Sequence, residues 1–164
     1  MQKSPKIGAA SRFTLSALMG PLDANLHGNV HGGVIMNMVD EAGALVAMRH
    51  ARAPVVTVAI DSMTFMHPIR VGDLVLCNAE LTFAGRTSME VREQVIGEHP
   101  LEGITTVTNI AYLVCVALDQ SGQPTPVPPL IFETPAEEAR ANEARQRQEY
   151  RKQPRIYDNP LEQS

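Results

Sequence analysis

A glycine-rich turn that leads into an apolar helix is the part of this sequence best suited to chemistry. The segment from His27 to Glu41 reads HGNVHGGVIMNMVDE and ends on an acidic pair, Asp40 and Glu41. N–H groups at the start of a helix have no intrahelical partner and lie at the positive end of the helix dipole, so they suit a developing oxyanion. A carboxylate among apolar side chains is costly. Together these features indicate hydrolysis of an activated carbonyl compound.

Each residue type in this segment suits one role in such a reaction. Asp40 is able to deprotonate water or to attack the carbonyl carbon directly. Asn29 is able to orient the water or donate to the substrate, and the N–H groups near Gly32 and Gly33 are expected to hold the oxyanion. The same pattern also fits an ordinary helix entry followed by a solvent-facing acidic patch.

One long helix must position these residues. Apolar residues cover most of its circumference from His31 to His50, so we expect it to be buried nearly all round. Asp40 lies about 9 residues into this helix, or ~13 Å along its axis, whereas Asn29 stays at the entry. The two side chains should not meet within one chain. Two copies running antiparallel across a dimer axis would bring Asn29 of one to Asp40 of the other.

The rest of the chain predicts a sheet around that helix. Strand-like segments cover 11–19, 55–63, 75–83, 89–95 and 105–118, several of them with apolar residues at alternate positions. A curved antiparallel sheet wrapped around one helix gives an α+β fold, and its open edges favour pairing with a second copy. We expect a flexible leader at 1–10, one domain at 11–134 and a polar helical tail at 135–164. The tail is either a solvated helix or a helix that packs on a partner subunit.

Composition restricts the classes of function. The 164 residues carry a formal net charge of −4, which argues against nucleic-acid binding. No apolar run approaches the ~20 residues needed to span a bilayer, so we expect a protein of the cytoplasm that does not enter membranes. Cys77 and Cys115 lie far apart in strand-like runs without metal-ligand spacing. We therefore expect no metal and two reduced, buried thiols.

A second polar turn could bind a ligand. Arg86, Thr87 and Ser88 follow Gly85 at the entry to a strand, where a guanidinium, two hydroxyls and nearby N–H groups would suit phosphate or pantetheine amides. By pattern alone, an ordinary polar hairpin is the better explanation of this segment.

Several separated motifs occur together in an order that resembles a known family. They are DANLHGNVHGG, MNMVDEAG with the terminal RH, FMHPIRVGD, GRTSMEV and VPP, and they span about residues 12 to 132. This series is similar to the hotdog-fold acyl-CoA thioesterases, in particular to the brain-type cytosolic acyl-CoA hydrolase and its short bacterial relatives. Relatives often carry a bulkier residue before Met38, where this chain has Asn37.

The resemblance implies a fold, an activity and an assembly. It implies a helix wrapped by an antiparallel sheet, a homodimer with sheets joined edge to edge, and often a trimer of dimers. It implies hydrolysis of acyl-CoA to a free acid and CoA, with no cofactor apart from the CoA of the substrate. The catalytic asparagine of the family falls on Asn29 and its aspartate on Asp40, acting across the dimer interface. The CoA surface falls on Arg86, Thr87 and Ser88.

Two other functions remain open on the same fold. One is a non-catalytic module that binds acyl-CoA in a regulatory role. The other is a hydratase or dehydratase, whose relatives usually place a catalytic histidine near the helix entry, where this chain has His31.

Overall fold

The computed structural model describes residues 4–153, which form one main sheet and two helices. The five-stranded antiparallel sheet has the order β2-β4-β5-β6-β3, and a two-stranded parallel sheet pairs β1 with β7. The strands are β1 Lys6–Ile7, β2 Phe13–Leu18, β3 Val55–Phe65, β4 Leu74–Ala84, β5 Ser88–His99, β6 Ile104–Ala117 and β7 Leu130–Ile131, and the helices are α1 Gly32–Ala51 and α2 Pro135–Arg151. The predicted α+β fold, a sheet wrapped around a long helix, is confirmed.

Helix α1 lies on one face of the sheet and has defined ends. His31 is its N-cap, and Arg52 ends it in a left-handed conformation with φ 52, shortly before Pro54. The helix packs on β4, β5 and β6 through small and branched side chains. Its buried apolar residues are Ile35, Met38, Val39, Ala42, Val46, Ala47 and Ala51.

The expectation that α1 is buried nearly all round is wrong within one protomer. The side of the helix away from the sheet is exposed, and Asp40 lies on it. Its exposed neighbours on the helix include Met36, Asn37, Glu41 and Met48. The apolar residues around the circumference of α1 suggested burial on all sides, but the sheet covers only one side of the helix. The uncovered side is available to another molecule.

Strand β3 forms one edge of the sheet and exposes apolar side chains. Val56, Val58 and Ile60 are 44%, 56% and 40% exposed. An exposed apolar edge strand offers both unpaired backbone groups and side-chain area to a second strand. The edge therefore has the character expected of a sheet-to-sheet interface between copies.

Helix α2 lies on the opposite, outer face of the sheet. Thr134 caps it, with Glu137 completing a capping box. From its last turns Arg147 stacks 3.9 Å from the centroid of the Tyr112 ring, and its Nη2 donates to Glu90 Oε1 at 2.8 Å. Of the tail predicted to be helical over 135–164, the part Pro135–Arg151 forms α2 and packs on its own protomer, and residues 154–164 lie outside the described part of the chain. The spacing of residues in α2 did not indicate that this helix would contact carboxylates of the sheet.

Glu90 explains why α2 stays on the sheet. Its side chain is 1% exposed, and it also accepts from Thr82 Oγ1 at 2.8 Å and from Arg151 Nη1 at 3.1 Å. Arg151 in addition binds Asp61 of β3. Burying a carboxylate is tolerated only when charge and hydrogen bonds compensate for the lost hydration.

We expect Arg147→Ala to lower the free energy of unfolding by about 2–4 kcal/mol, because it removes one of two cations from a buried carboxylate. Arg145→Ala is the matched control, since Arg145 is exposed and, within residues 4–153, its guanidinium forms no ion pair and donates one hydrogen bond, to Asn142; the substitution should change stability by less than about 0.5 kcal/mol. Urea titration measures both. Equal stability of the two variants would show that α2 is not held by Glu90.

The N-terminal residues do not form the free leader that composition predicted. Lys6 and Ile7 pair with Leu130 and Ile131, and Lys6 Nζ donates to His50 O at 2.8 Å. The pairing was hidden because its two strands lie more than a hundred residues apart in sequence. Residues 1–3 lie outside the described part of the chain.

Within residues 4–153, neither helix has the length and apolar character required to cross a membrane.

Candidate active site

The turn before α1 is organised by Asn25, a residue that the sequence argument passed over. Its Oδ1 accepts from the N–H of His27 at 2.8 Å and of Asn29 at 3.3 Å. Its backbone N–H donates to Asn29 O at 2.7 Å, and Gly28, with φ +80, donates to Asn25 O. Because the oxygen of the Asn25 amide is engaged in the turn, its Nδ2 group is left to donate elsewhere. Asn29 makes no side-chain hydrogen bond within residues 4–153.

A cavity of about 320 Å³ opens beside this turn and the start of α1. Its polar wall is formed by Asn25, Asn29, Gly32 and Asn109. The remaining wall is provided by Val30, Ile35, Phe65, Met66, His67, Pro68 and Ile69. A mostly apolar cavity with a few amide groups beside a helix N-terminus suits a carbonyl oxygen attached to an apolar chain.

The structure separates the two glycines that were expected to hold the oxyanion. The Gly33 N–H donates to His31 Nδ1 at 2.9 Å, so this donor is already used by the N-cap. Gly32, at the first helical position, has no intrahelical acceptor and lines the cavity. The Gly33 N–H is therefore occupied within its own turn, whereas Gly32 lies at the cavity wall, and the oxyanion role predicted for Gly33 stays a prediction. A histidine cap was not anticipated because His is an uncommon N-cap residue.

Asp40 does not lie in the cavity of its own protomer. It is exposed on α1, eight residues beyond Gly32, which corresponds to about 12 Å along the helix. The structure therefore brings Asn25, Asn29 and Gly32 together and leaves Asp40 apart from them. This separation agrees with the sequence argument that Asn29 and Asp40 cannot meet within one chain.

The Arg86–Ser88 turn lies at the far end of the sheet from the cavity. Thr87 O accepts from the N–H of Ala117, which pairs with Val55 at the start of β3. The cavity lies at the other end of β3, beside Phe65, which is about ten residues or roughly 33 Å away along a strand. One protomer alone does not bring the predicted CoA surface to the cavity.

A buried carboxyl group under α1 was also missed. Glu93 of β5 is 0% exposed, and neither carboxyl oxygen has a hydrogen-bond partner in the described part of the chain. Burial raises the pKa of Glu93 from 4.5 to about 9, and repulsion by Asp40 adds to the rise. The nearby Gly43 amide lowers this pKa without reaching hydrogen-bonding geometry. The alternation of Met89, Val91 and Val95 could have revealed Glu93, because it puts position 93 on the inward face.

The two cysteines occupy the same interior. Burial raises the pKa of the Cys77 thiol to about 12 and that of Cys115 to about 11. Both are free thiols. No group of three or more metal-ligating side chains occurs between residues 4 and 153.

Comparisons with known proteins match this architecture to one family. Residues 27–104 match the family model of the thioesterase superfamily. The uncharacterized acyl-CoA thioester hydrolase YkhA of Bacillus subtilis is 36% identical over 92% of this chain and 88% of its own length. The cytosolic acyl coenzyme A thioester hydrolase of Homo sapiens is 34% identical over 90% of this chain, which spans only 39% of that protein.

Solved structures lead to the same family. A hexameric acyl-CoA thioesterase superposes with a TM-score of 0.88 at 38% identity, covering 92% of this chain and 96% of the other. The acyl-CoA hydrolase of Staphylococcus aureus, in complex with butyryl coenzyme A and coenzyme A, superposes with a TM-score of 0.83 at 36% identity over 90% of each chain. Fold, sequence and motifs therefore agree, and the chain belongs to the hotdog-fold acyl-CoA thioester hydrolases of the thioesterase superfamily.

Proposed function

We propose that this protein hydrolyses the thioester of acyl-CoA to a carboxylic acid and CoA, at a site shared by two copies of the chain. Asp40 acts as the general base or the nucleophile, and the cavity at the start of α1 binds the thioester carbonyl. The observation that carries the proposal is the division of the site. The donors line a cavity in one place, and the carboxylate is exposed about 12 Å further along the same helix.

A two-fold pairing of β3 edges would complete the site. Antiparallel pairing places the Phe65 end of one β3 beside the Val55 end of the other. The cavity lies at the first end and the Arg86–Ser88 turn at the second. The turn of one copy is thereby carried towards the cavity of the other, where it is able to bind the phosphates or pantetheine amides of CoA. The exposed apolar side chains of β3 support this pairing.

The assembly is proposed to be a homodimer or a trimer of dimers. Three of the similar solved structures are hexameric thioesterases, from proteins 38%, 35% and 33% identical to this chain. We also place the protein in the cytoplasm, since its two buried thiols require no oxidising compartment.

The asparagine that acts with Asp40 is open between two positions. The S. aureus hydrolase has been solved as three variants, in which an asparagine, an aspartate or a threonine is replaced by alanine. The asparagine lies fifteen positions before the aspartate, and the threonine lies seventeen positions after it. In this chain the same spacings from Asp40 lead to Asn25 and Thr57. We therefore add Asn25 to Asn29 as a candidate, with its Nδ2 donating to the thioester oxygen.

A mixing experiment tests the shared site and separates the two asparagines. Asp40→Asn chains are mixed with Asn25→Ala or with Asn29→Ala chains, and subunit exchange is verified by mass. Random pairing should restore about a quarter of the wild-type sites. Half of the dimers are then heterodimers, and each heterodimer holds one intact site out of two. Activity should recover in the mixture of Asp40→Asn with whichever asparagine variant is inactive on its own. Asn25→Asp keeps the acceptor of the turn but lacks the donor, so its inactivity would separate donation from folding.

Failure of every mixture to regain activity after exchange would contradict the site shared between copies. Wild-type protein that binds CoA but releases no thiol from any acyl-CoA would instead favour a regulatory binding module. His31 gives little support to a hydratase, because its Nδ1 is engaged in capping α1.

A further inference from the structure

Glu93 occupies a space that three neighbouring positions leave by lacking large side chains. Across the sheet it pairs with Ala79 of β4 and Ala111 of β6. Above it, Gly43 of α1 presents no side chain, and a Cβ at Gly43 would lie 2.6 Å from Glu93 Oε1. A glycine within a helix costs stability compared with alanine, so its presence here needs a reason. The space it leaves for the Glu93 carboxyl group is that reason.

Among the titratable groups that face Glu93, Asp40 is the one that carries a charge. The titratable groups that interact with Glu93 from the elements packed against it are Asp40 on α1, Cys77 on β4 and Cys115 on β6. Burial raises the pKa of both thiols far above neutral, so they remain uncharged. Repulsion from Asp40 contributes to the raised pKa of Glu93.

The position of Asp40 therefore depends on the proton of Glu93. Asp40 precedes Gly43 by three residues, or less than one helical turn. An ionised Glu93 would be a buried charge without a counter-ion directly under this turn of α1. Movement of the helix away from the sheet would relieve that charge and would displace Asp40 from the shared site.

We propose that Glu93 is a positioning residue for Asp40, acting as an uncharged acid beneath Gly43 that keeps α1 on the sheet and places no buried negative charge under the turn that carries the Asp40 carboxylate. The inference rests on the proposed hydrolysis, in which Asp40 reacts, but its spectroscopic test does not require activity.

The kinetic test compares kcat between pH 6 and pH 10, after correction for spontaneous hydrolysis, in wild type, Glu93→Gln and Glu98→Gln. Glu98 is the control because it lies on the same strand but is partly exposed. In wild type and Glu98→Gln, kcat should fall about tenfold per pH unit above pH 9, following the uncharged fraction of Glu93. Glu93→Gln should lack this alkaline fall. A fall of equal size in all three proteins would overturn the proposal.

The spectroscopic test follows the side-chain carboxyl carbon of Glu93 by ¹³C NMR during a pH titration. Wild-type Glu93 should titrate near pH 9, and Asp40→Asn should lower that midpoint, because the repelling charge is gone. A midpoint below pH 6, or one unchanged by Asp40→Asn, would overturn the inference. A protein that shows the coupled titration but hydrolyses no acyl-CoA would contradict the proposed function while leaving the coupling intact.

Discussion

Asp40→Asn is expected to lower kcat for a short acyl-CoA such as butyryl-CoA by about a thousandfold, because an amide neither accepts the proton of water nor attacks a thioester. The substitution keeps the shape of the side chain and lies on an exposed helix face, so folding should be unaffected. Affinity for CoA should also be retained, because the Arg86–Ser88 turn and the cavity are unchanged. Thiol release gives kcat, and calorimetry with CoA gives the affinity.

Glu41→Gln is the matched control for that substitution. Glu41 is the adjacent carboxylate, is exposed, and accepts a hydrogen bond from Asn37 Nδ2 at 3.1 Å. Its replacement should change kcat less than about threefold, since surface charges away from the reacting atoms contribute little. A fall of similar size in both variants would point to the charge of this helix face, and not to one base. Undiminished hydrolysis by Asp40→Asn would remove Asp40 from the mechanism.

Glu93→Gln is expected to change the pH dependence of stability more than any other single substitution. The folded-state pKa of Glu93, about 9, lies above its ordinary value of 4.5. The folded protein therefore binds more protons than the unfolded chain between these values, and stability falls as pH rises through that window. The slope should be about 1.4 kcal/mol per pH unit. Glutamine carries no titratable proton, so the variant should lack this slope.

Urea titrations at pH 5, 6.5, 8 and 9 measure this difference. The variant should become more stable than wild type at the alkaline end, by a few kcal/mol, although burial of its amide opposes part of the gain. Glu98→Gln should follow the wild-type curve. Parallel curves for wild type and Glu93→Gln would show that Glu93 is ionised in the folded protein.

Because Glu93→Gln is expected to stabilise the protein at alkaline pH, the presence of Glu93 has a functional implication. Proteins retain buried, unpaired carboxyl groups mainly where a site needs them. Glu93 lies beneath the turn of helix that carries Asp40, and the glycine above it is itself a cost to the helix. Glu93 and Gly43 both lower stability and lie in contact beside the proposed reactive group, which is consistent with selection for activity.

The sequence carried much of the fold because its strongest signals are local. Alternation of apolar residues gave β3 to β6 to within a few residues, and the helix predicted over 31–50 begins at Gly32 and ends at Ala51. The glycine-rich turn marked the start of α1 correctly, since tight turns and helix entries depend on neighbouring residues. The motif series gave the family, which the comparisons confirm.

The sequence by itself determined the order of α1 and of strands β2 to β6, and it determined the family. It also determined the separation of Asn29 from Asp40, because helix rise fixes that distance along one chain. Tertiary structure alone decided which side of α1 the sheet covers and that α2 lies over Glu90. It also decided that Glu93 lies under Gly43. These outcomes depend on contacts between residues distant in sequence, and periodicity carries no record of which faces meet.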